Sequence, residues 1–305
     1  MRSAFLHFTV NPMRTIVLLL CLSVTTTWAQ DSLLMELEKD SPEEQSVTFA
    51  TFKGTRIVNG HSVETKPGRT LEFIFAHRFG AINEGWYEMF GLDDAFVRIG
   101  LDYGITDRLS VSLGRNSINK TIDWYAKFRA LEQKSGSANV PFTATVLAGA
   151  AFKLEPRKNS DVSPTFQTTD RLSYTGQLLV ARKFTGALSL QLMPTIIHKN
   201  SVNQDFEKNT NFALGAGGRL KITPSTAITG EYYHNFSRPD NSPFHNSLGF
   251  GIDIETGGHV FQLVFTNAIG LTERAFITET FDDFFDGDIH FGFNVTRTFQ
   301  FKRKD

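Results

Sequence analysis

Charged side chains recur inside alternating apolar segments of this 305-residue chain: Arg78 in FIFAHRFG, Arg98 and Asp102 in AFVRIGLDYG, Asp123, Lys127 and Arg129 in IDWYAKFRA, Arg219 in ALGAGGRL, and Glu231 in ITGEYYH. Guanidinium, ammonium and carboxylate groups set two residues apart stand on one face of an extended strand, away from the apolar neighbours. Two chemistries follow. Such a face can line a polar conduit that selects a small, anionic solute, or it can close on itself as ion pairs that fill a narrow interior. The spacing alone leaves both open, and the eight residues are candidates for lining a lumen.

Other chemistries are less well served. Ester hydrolysis needs a nucleophile beside a base, yet His77 lies on the apolar parity of its segment, while Ser110 and Ser112 lie on the polar parity of theirs. No catalytic residues are therefore expected. His77, His198, His234 and His290 all fall near segment ends, but they differ in parity and have no ligand spacing. FDDFFDGD, with Asp282, Asp283, Asp286 and Asp288, breaks the calcium-loop pattern at Phe284 and reads as a solvated acidic loop. Neither a metal nor a cofactor is expected.

The elements that carry these residues repeat. In AFVRIGLDYGITDRLSVSLGR, Val97, Ile99, Leu101 and Tyr103 alternate with Arg98, Gly100 and Asp102; a short polar turn follows, and Leu109, Val111 and Leu113 resume the pattern. That is a hairpin. Alternating segments of this kind are expected at 70–79, 94–103, 108–116, 120–132, 141–154, 171–184, 187–198, 210–222, 226–236, 247–255, 259–268 and 288–301, twelve in all. Each has about the length that a tilted strand needs to cross a bilayer. Short links (104–107, 185–186, 223–225, 256–258) alternate with long polar ones such as 155–170 and 269–287; links 117–119 and 133–140 depart from that order. Alternating short and long links mark outer-membrane barrels, and a soluble sandwich gives no reason for them.

Targeting agrees. Arg14, the apolar run Ile16–Leu22 and the residues up to Ala29 form a secretory signal, 1–29, whose core is too short to span a membrane as a helix. Its removal takes away the only cysteine and leaves 29 basic against 32 acidic residues, with no basic footprint for nucleic acid. The sequence thus predicts an all-β antiparallel transmembrane barrel of about twelve strands over 70–301, preceded by a short periplasmic or plug segment, 30–69. Residues 46–68 make a poor wall strand. As a plug they would close the pore by pairing Lys53, Arg56, His61 and Glu64 with lumen charges; outside the barrel they would serve periplasmic docking. In the last segment Phe291, Phe293 and Val295 are expected to face lipid and His290, Asn294 and Thr296 the lumen, so Phe291→Arg should cost more than Asn294→Arg. Lys158 and Asp282 are expected outside the cell, and Thr106 and Ser225 in the periplasm.

Two resemblances add to this reading. Phe299 and Phe301 resemble the terminal aromatic strand of outer-membrane proteins, although Lys302–Asp305 extends past it. FKGTRIVNGHSVET, HRFG, FGLDDAFVRIGLDYGITDRLSVSLGR, NKTIDWYAKFRALEQ and GGHVFQLVFTNAIGLTERAFI are similar to an uncharacterised β-barrel family of exported Gram-negative proteins, a domain of unknown function. That resemblance implies an outer-membrane barrel and assigns no functional residue. Members encoded beside periplasmic cytochromes and lipocalin-like proteins imply a respiratory setting. The expected function is a channel for small solutes, with a structural or docking barrel for periplasmic, redox-active partners as the alternative and a hydrolase as the outlier. Expected partners are outer-membrane lipid, the barrel-assembly machinery, a small solute and periplasmic proteins.

Overall fold

A computed structural model describes residues 46–136, 139–154 and 167–301. The signal segment 1–29, residues 30–45, Lys158 with most of its link, and the tail 302–305 lie outside the described residues. The chain falls into two units, Met1–Ser46 with Gly136–Ala138, and Val47–Ser135 with Asn139–Asp305; the second holds everything described below.

Twelve strands close into one antiparallel barrel: β1 (Thr70–Ala81), β2 (Ala95–Gly104), β3 (Leu109–Asn116), β4 (Thr121–Leu131), β5 (Thr143–Lys153), β6 (Leu172–Lys183), β7 (Leu188–Lys199), β8 (Thr210–Lys221), β9 (Thr226–Asn235), β10 (Leu248–Thr256), β11 (His259–Thr266) and β12 (His290–Gln300). Neighbours in sequence are neighbours in space, and β12 closes on β1 with Gln300 opposite Thr70 and Phe293 opposite His77. The barrel wall has no unpaired edge, which removes the exposed N–H and C=O groups that an open sheet would present.

Sequence parity becomes inside and outside. Ile99, Leu101, Leu113, Leu192, Phe212, Ile228 and Phe250 project outward and are exposed, whereas Glu72, Arg98, Asp102, Lys127, Gln191 and Glu231 on the opposite parity are buried. An apolar exterior around a polar interior inverts the soluble arrangement and suits a lipid surround. No described helix is long and apolar enough to cross a membrane.

One mouth of the barrel carries the tight turns, and three of these share a device. Thr106, Thr185 and Thr223 each follow an apolar residue, and each hydroxyl accepts from the backbone N–H groups two and three residues on (Arg108 and Leu109, Ala187 and Leu188, Ser225 and Thr226). In each turn the residue before the threonine closes the hairpin through its own N–H, as Ile105 does to Leu109 O at 2.8 Å. A threonine three residues before the next strand thus takes up N–H groups that the tight reversal would leave unpaired. The fourth turn, between β10 and β11, uses Gly258 at φ 96°, a left-handed backbone that glycine adopts without strain.

Two segments outside the regular wall turn inward, one preceding β1 and one linking β11 to β12. Residues 47–69 run in from the tight-turn mouth and return to it: Thr48 N donates to Gln133 O, and Arg69 N donates to Gly104 O. Between these ends the segment makes a finger, with Arg56 opposite His61 in an antiparallel bridge and Ile57 N donating to Gly60 O at its tip. From the other mouth, residues 267–289 fold down with a short helix, α1 (Glu273–Thr278), and bury Leu271, Phe276 and Ile277. This second insertion departs from the expectation of a polar external loop. Its AIGL and AFI runs are apolar because they pack in the barrel interior rather than facing water.

Candidate functional site

The interior of the barrel is the candidate site, and all eight expected lining residues point into it. Arg98 on β2 reaches Asp123 on β4, with Nε 3.1 Å from Oδ1. Asp102 accepts from Ser112 Oγ and, at 2.6 Å, from Tyr125 Oη. Those contacts join wall to wall. Of the other five, four reach the finger directly, and Arg219 reaches it through the wall carboxylate Glu255. Glu231 on β9 accepts from the backbone N–H groups of Val58, Asn59 and Gly60, the shortest at 2.6 Å from Asn59. Arg78 donates to Asn59 Oδ1, Asn294 Oδ1 and its neighbour's carbonyl, His77 O. Lys127 Nζ donates to Glu64 O at 2.8 Å, and Arg129, half-buried, meets the Glu64 carboxylate at 3.1 Å. Arg219 pairs with Glu255, which also takes Lys53 of the finger at 2.8 Å.

Amides and hydroxyls complete the seat. Gln191 accepts from Val63 N and donates to His61 O; Gln262 donates to Ile57 O; Asn294 donates to Val58 O; Thr145 donates to Val63 O. Side chains from around the ring thus satisfy the finger's backbone, which a buried non-strand segment must obtain somewhere. Among the described residues, no backbone-to-backbone hydrogen bond joins 51–66 to a barrel strand. Shape matters as well. A Cβ at Gly60 would stand 2.1 Å from Tyr233 Oη, so only glycine lets the tip pass that ring.

Where the two insertions meet, Glu273 of α1 accepts from Arg56 Nη1 at 2.8 Å and lies 2.9 Å from His61 Nε2. The Tyr125 ring packs edge-on against His61 at 4.3 Å. Burial, and then the neighbouring Arg56 guanidinium, push the His61 imidazole down to about 3, so it is neutral. Burial alone would raise the Glu273 carboxyl, but the imidazole and the guanidinium outweigh it and hold the group ionised. Further toward the loop mouth, Glu279 binds Arg274 and approaches Lys199 Nζ at 3.5 Å. Phe276 of α1 meets the Tyr233 ring at 5.2 Å.

Of the four finger residues expected to pair with lumen charges, Lys53 and Glu64 do so with wall residues, while Arg56 and His61 pair with the opposite insertion instead. The strand-end histidines do not converge. His290 faces inward between Phe79 O and the Asp282 carboxylate; His198 and His234 face outward, and His77 stacks on the outward Phe293 ring at 5.2 Å. Asn294 was expected to face the lumen, whereas Glu273, Gln191 and Gln262 were not among the expected lining residues. Gln191, Gln262 and Asn294 sit on the polar parity of their strands and were legible there, whereas nothing in the local pattern marks Glu273 as inward.

A closed antiparallel wall, apolar outside and charged inside, with its interior occupied by two of the chain's own segments, defines a membrane β-barrel. The chain belongs to the family described as Membrane bound beta barrel domain (DUF5777), which it matches over residues 52–299, so the match takes in the inner finger as well as the wall. Among solved structures it is similar to the NanC porin (10% identity, 76% of this chain and 100% of that one, TM-score 0.48). It is also similar to the COG4313 outer membrane channel from Pseudomonas putida F1 (10%, 81% and 100%, TM-score 0.49). A third likeness is to the KdgM porin (8%, 76% and 99%, TM-score 0.45). No curated protein matches the sequence.

Proposed function

We propose that this protein is an outer-membrane channel for small solutes, held shut at rest by its own residues 47–69. One observation carries the reading: between its ends, residues 51–66 of the finger are seated on the wall through side chains alone, and both ends lie at one mouth, so this part can leave without breaking a barrel strand pairing. Eight strands leave an interior that wall side chains can fill, and 16–18 leave an aqueous channel; a twelve-stranded wall falls between and leaves room for more than its own side chains. The finger and the α1 loop take up that room. A barrel needed only as a scaffold could be narrower. The polar wall would supply the surface along which a solute passes once the finger is displaced. Catalysis has no part in this proposal: among the described residues no serine hydroxyl is hydrogen-bonded to a histidine, and the buried Ser112 hydroxyl is tied to Asp102 within the wall.

Planar-bilayer conductance tests it. The full barrel is expected to pass little current, and deletion of residues 46–66 should raise conductance while leaving heat-modifiable migration of the barrel intact. Unchanged conductance from a still-folded deletion variant would reject the channel and leave the scaffold for periplasmic partners.

A further inference from the structure

Between the finger and the wall lies a small cavity of about 20 Å³, enough for one ion or one water. Three arginines line it: Arg56 from the finger, Arg78 from β1 and Arg98 from β2. Asn59 and Asn294 add two amides, the remaining lining is apolar, and no carboxylate borders it. Arg56 and Arg98 have carboxylate partners elsewhere, Glu273 and Asp123. Arg78 does not. It is fully buried and donates only to neutral oxygens: His77 O, Asn59 Oδ1 and Asn294 Oδ1. The oxygens of Glu231, across the finger tip, accept from backbone N–H groups instead. Two donors on the cavity's arginines, Arg56 Nη2 and Arg78 Nε, have no hydrogen-bond partner.

A guanidinium stays charged at any pH the protein meets, and a buried charge with no carboxylate in contact is costly. The nearest opposing charge is the Glu231 carboxylate across the finger tip, out of contact with Arg78; water in the cavity could take up the free N–H groups but would add no negative charge beside three arginines. We propose that this cavity binds a monovalent inorganic anion of chloride size, held by Arg78 and Arg56 with the amides of Asn59 and Asn294 beside it. Phosphate, sulfate and carboxylate solutes are too large for the space. Because Arg56 and Asn59 belong to the finger and Arg78 and Asn294 to the wall, the anion would tie one to the other. The inference does not depend on whether the barrel conducts.

Bromide is the probe. In crystals of the full chain grown with bromide as the only halide, anomalous scattering should place one ion in this cavity; a water refining there with no anomalous peak would overturn the proposal. In detergent solution, the unfolding temperature should rise with the logarithm of chloride concentration at constant ionic strength, gluconate being the balancing anion. Arg78→Gln should abolish that rise. Equal unfolding temperatures in chloride and gluconate would count against the site, as would a chloride dependence that persists in a folded Arg78→Gln barrel.

Discussion

At the scale of single residues, the interior and exterior of the wall make opposite demands, and substitutions along β12 separate them. Val295 sits at the centre of this strand and faces outward, while Phe291 is its second residue. Arginine on the lipid face costs about 2–4 kcal/mol at the midplane and about 0–1 near the interface. Val295→Arg should therefore be the damaging change and Phe291→Arg the mild one, measured as unfolding free energy in lipid or detergent; equal costs would place the membrane midplane elsewhere. Asn294→Arg is not the benign control that its parity suggests. Its amide bonds Val58 O, Gln262 and Arg78, so a second cation there is expected to unseat the finger, seen as protease cutting within 47–69 of an otherwise folded barrel.

His61 supplies a pH signature at the same scale. Its folded pKa of about 3 lies below the ordinary 6.5, so the unfolded chain takes up a proton that the folded chain refuses. Stability from this group is complete above about pH 6.5 and drains away as the pH falls toward 3. Glu273, held low, begins to lose its own contribution once the pH falls below the ordinary carboxylate value of 4.5, so the two effects overlap in acid. His61→Gln should flatten the slope of stability against pH between about 6.5 and 3. A slope as steep as in the parent would mean that the imidazole does not titrate on unfolding.

Elements differ in how they are fixed. Strands are held by ladders, the finger by side chains, and the α1 loop by a small apolar core at Leu271, Phe276 and Ile277 plus the Glu273 and Glu279 contacts. Phe276→Ala removes the ring that packs on Tyr233 and should cost the loop about 3–5 kcal/mol of docking, the usual penalty for emptying a buried aromatic site. The barrel has no stake in that contact beyond Tyr233. The expected result is faster proteolysis or hydrogen exchange across 267–289 with heat-modifiable migration preserved; loss of the barrel itself would show that the loop is needed for assembly.

For the whole molecule, the arrangement is polar from end to end. The four tight turns, the 132–142 link and both ends of the finger occupy one mouth, and the remaining links, long except for 117–120 and with α1 descending from one of them, occupy the other. An exported barrel is expected to keep its tight turns in the periplasm. Tags at Ser225 should then be silent on intact cells and appear after permeabilisation, while a tag at Asp282 should be reached from outside. Labelling of Ser225 on intact cells would invert the proposed orientation and put the finger's mouth on the cell surface.

What the sequence determined by itself is what depends on local rules. Period-two alternation set the strands, and the twelve expected segments agree with β1–β12 to within a few residues at their ends. Parity also set which face of each strand is charged, because a one-residue slip would move every side chain to the wrong side. The threonine of each tight turn was present in ITDRL, FTGAL and ITPST, though its role needed the hydrogen bonds to be recognised. Tertiary structure decided what fills the space that those strands enclose. Residues 47–69 and 267–289 have no periodicity that says inside, and their placement follows from partners distant in sequence: Glu231 beneath the finger tip, Tyr233 beside Gly60 and Phe276, and Glu273 between Arg56 and His61. Closure of the barrel brings those groups within reach. Before it closes, a carboxylate at 231 has no means of specifying a backbone turn at 58–60.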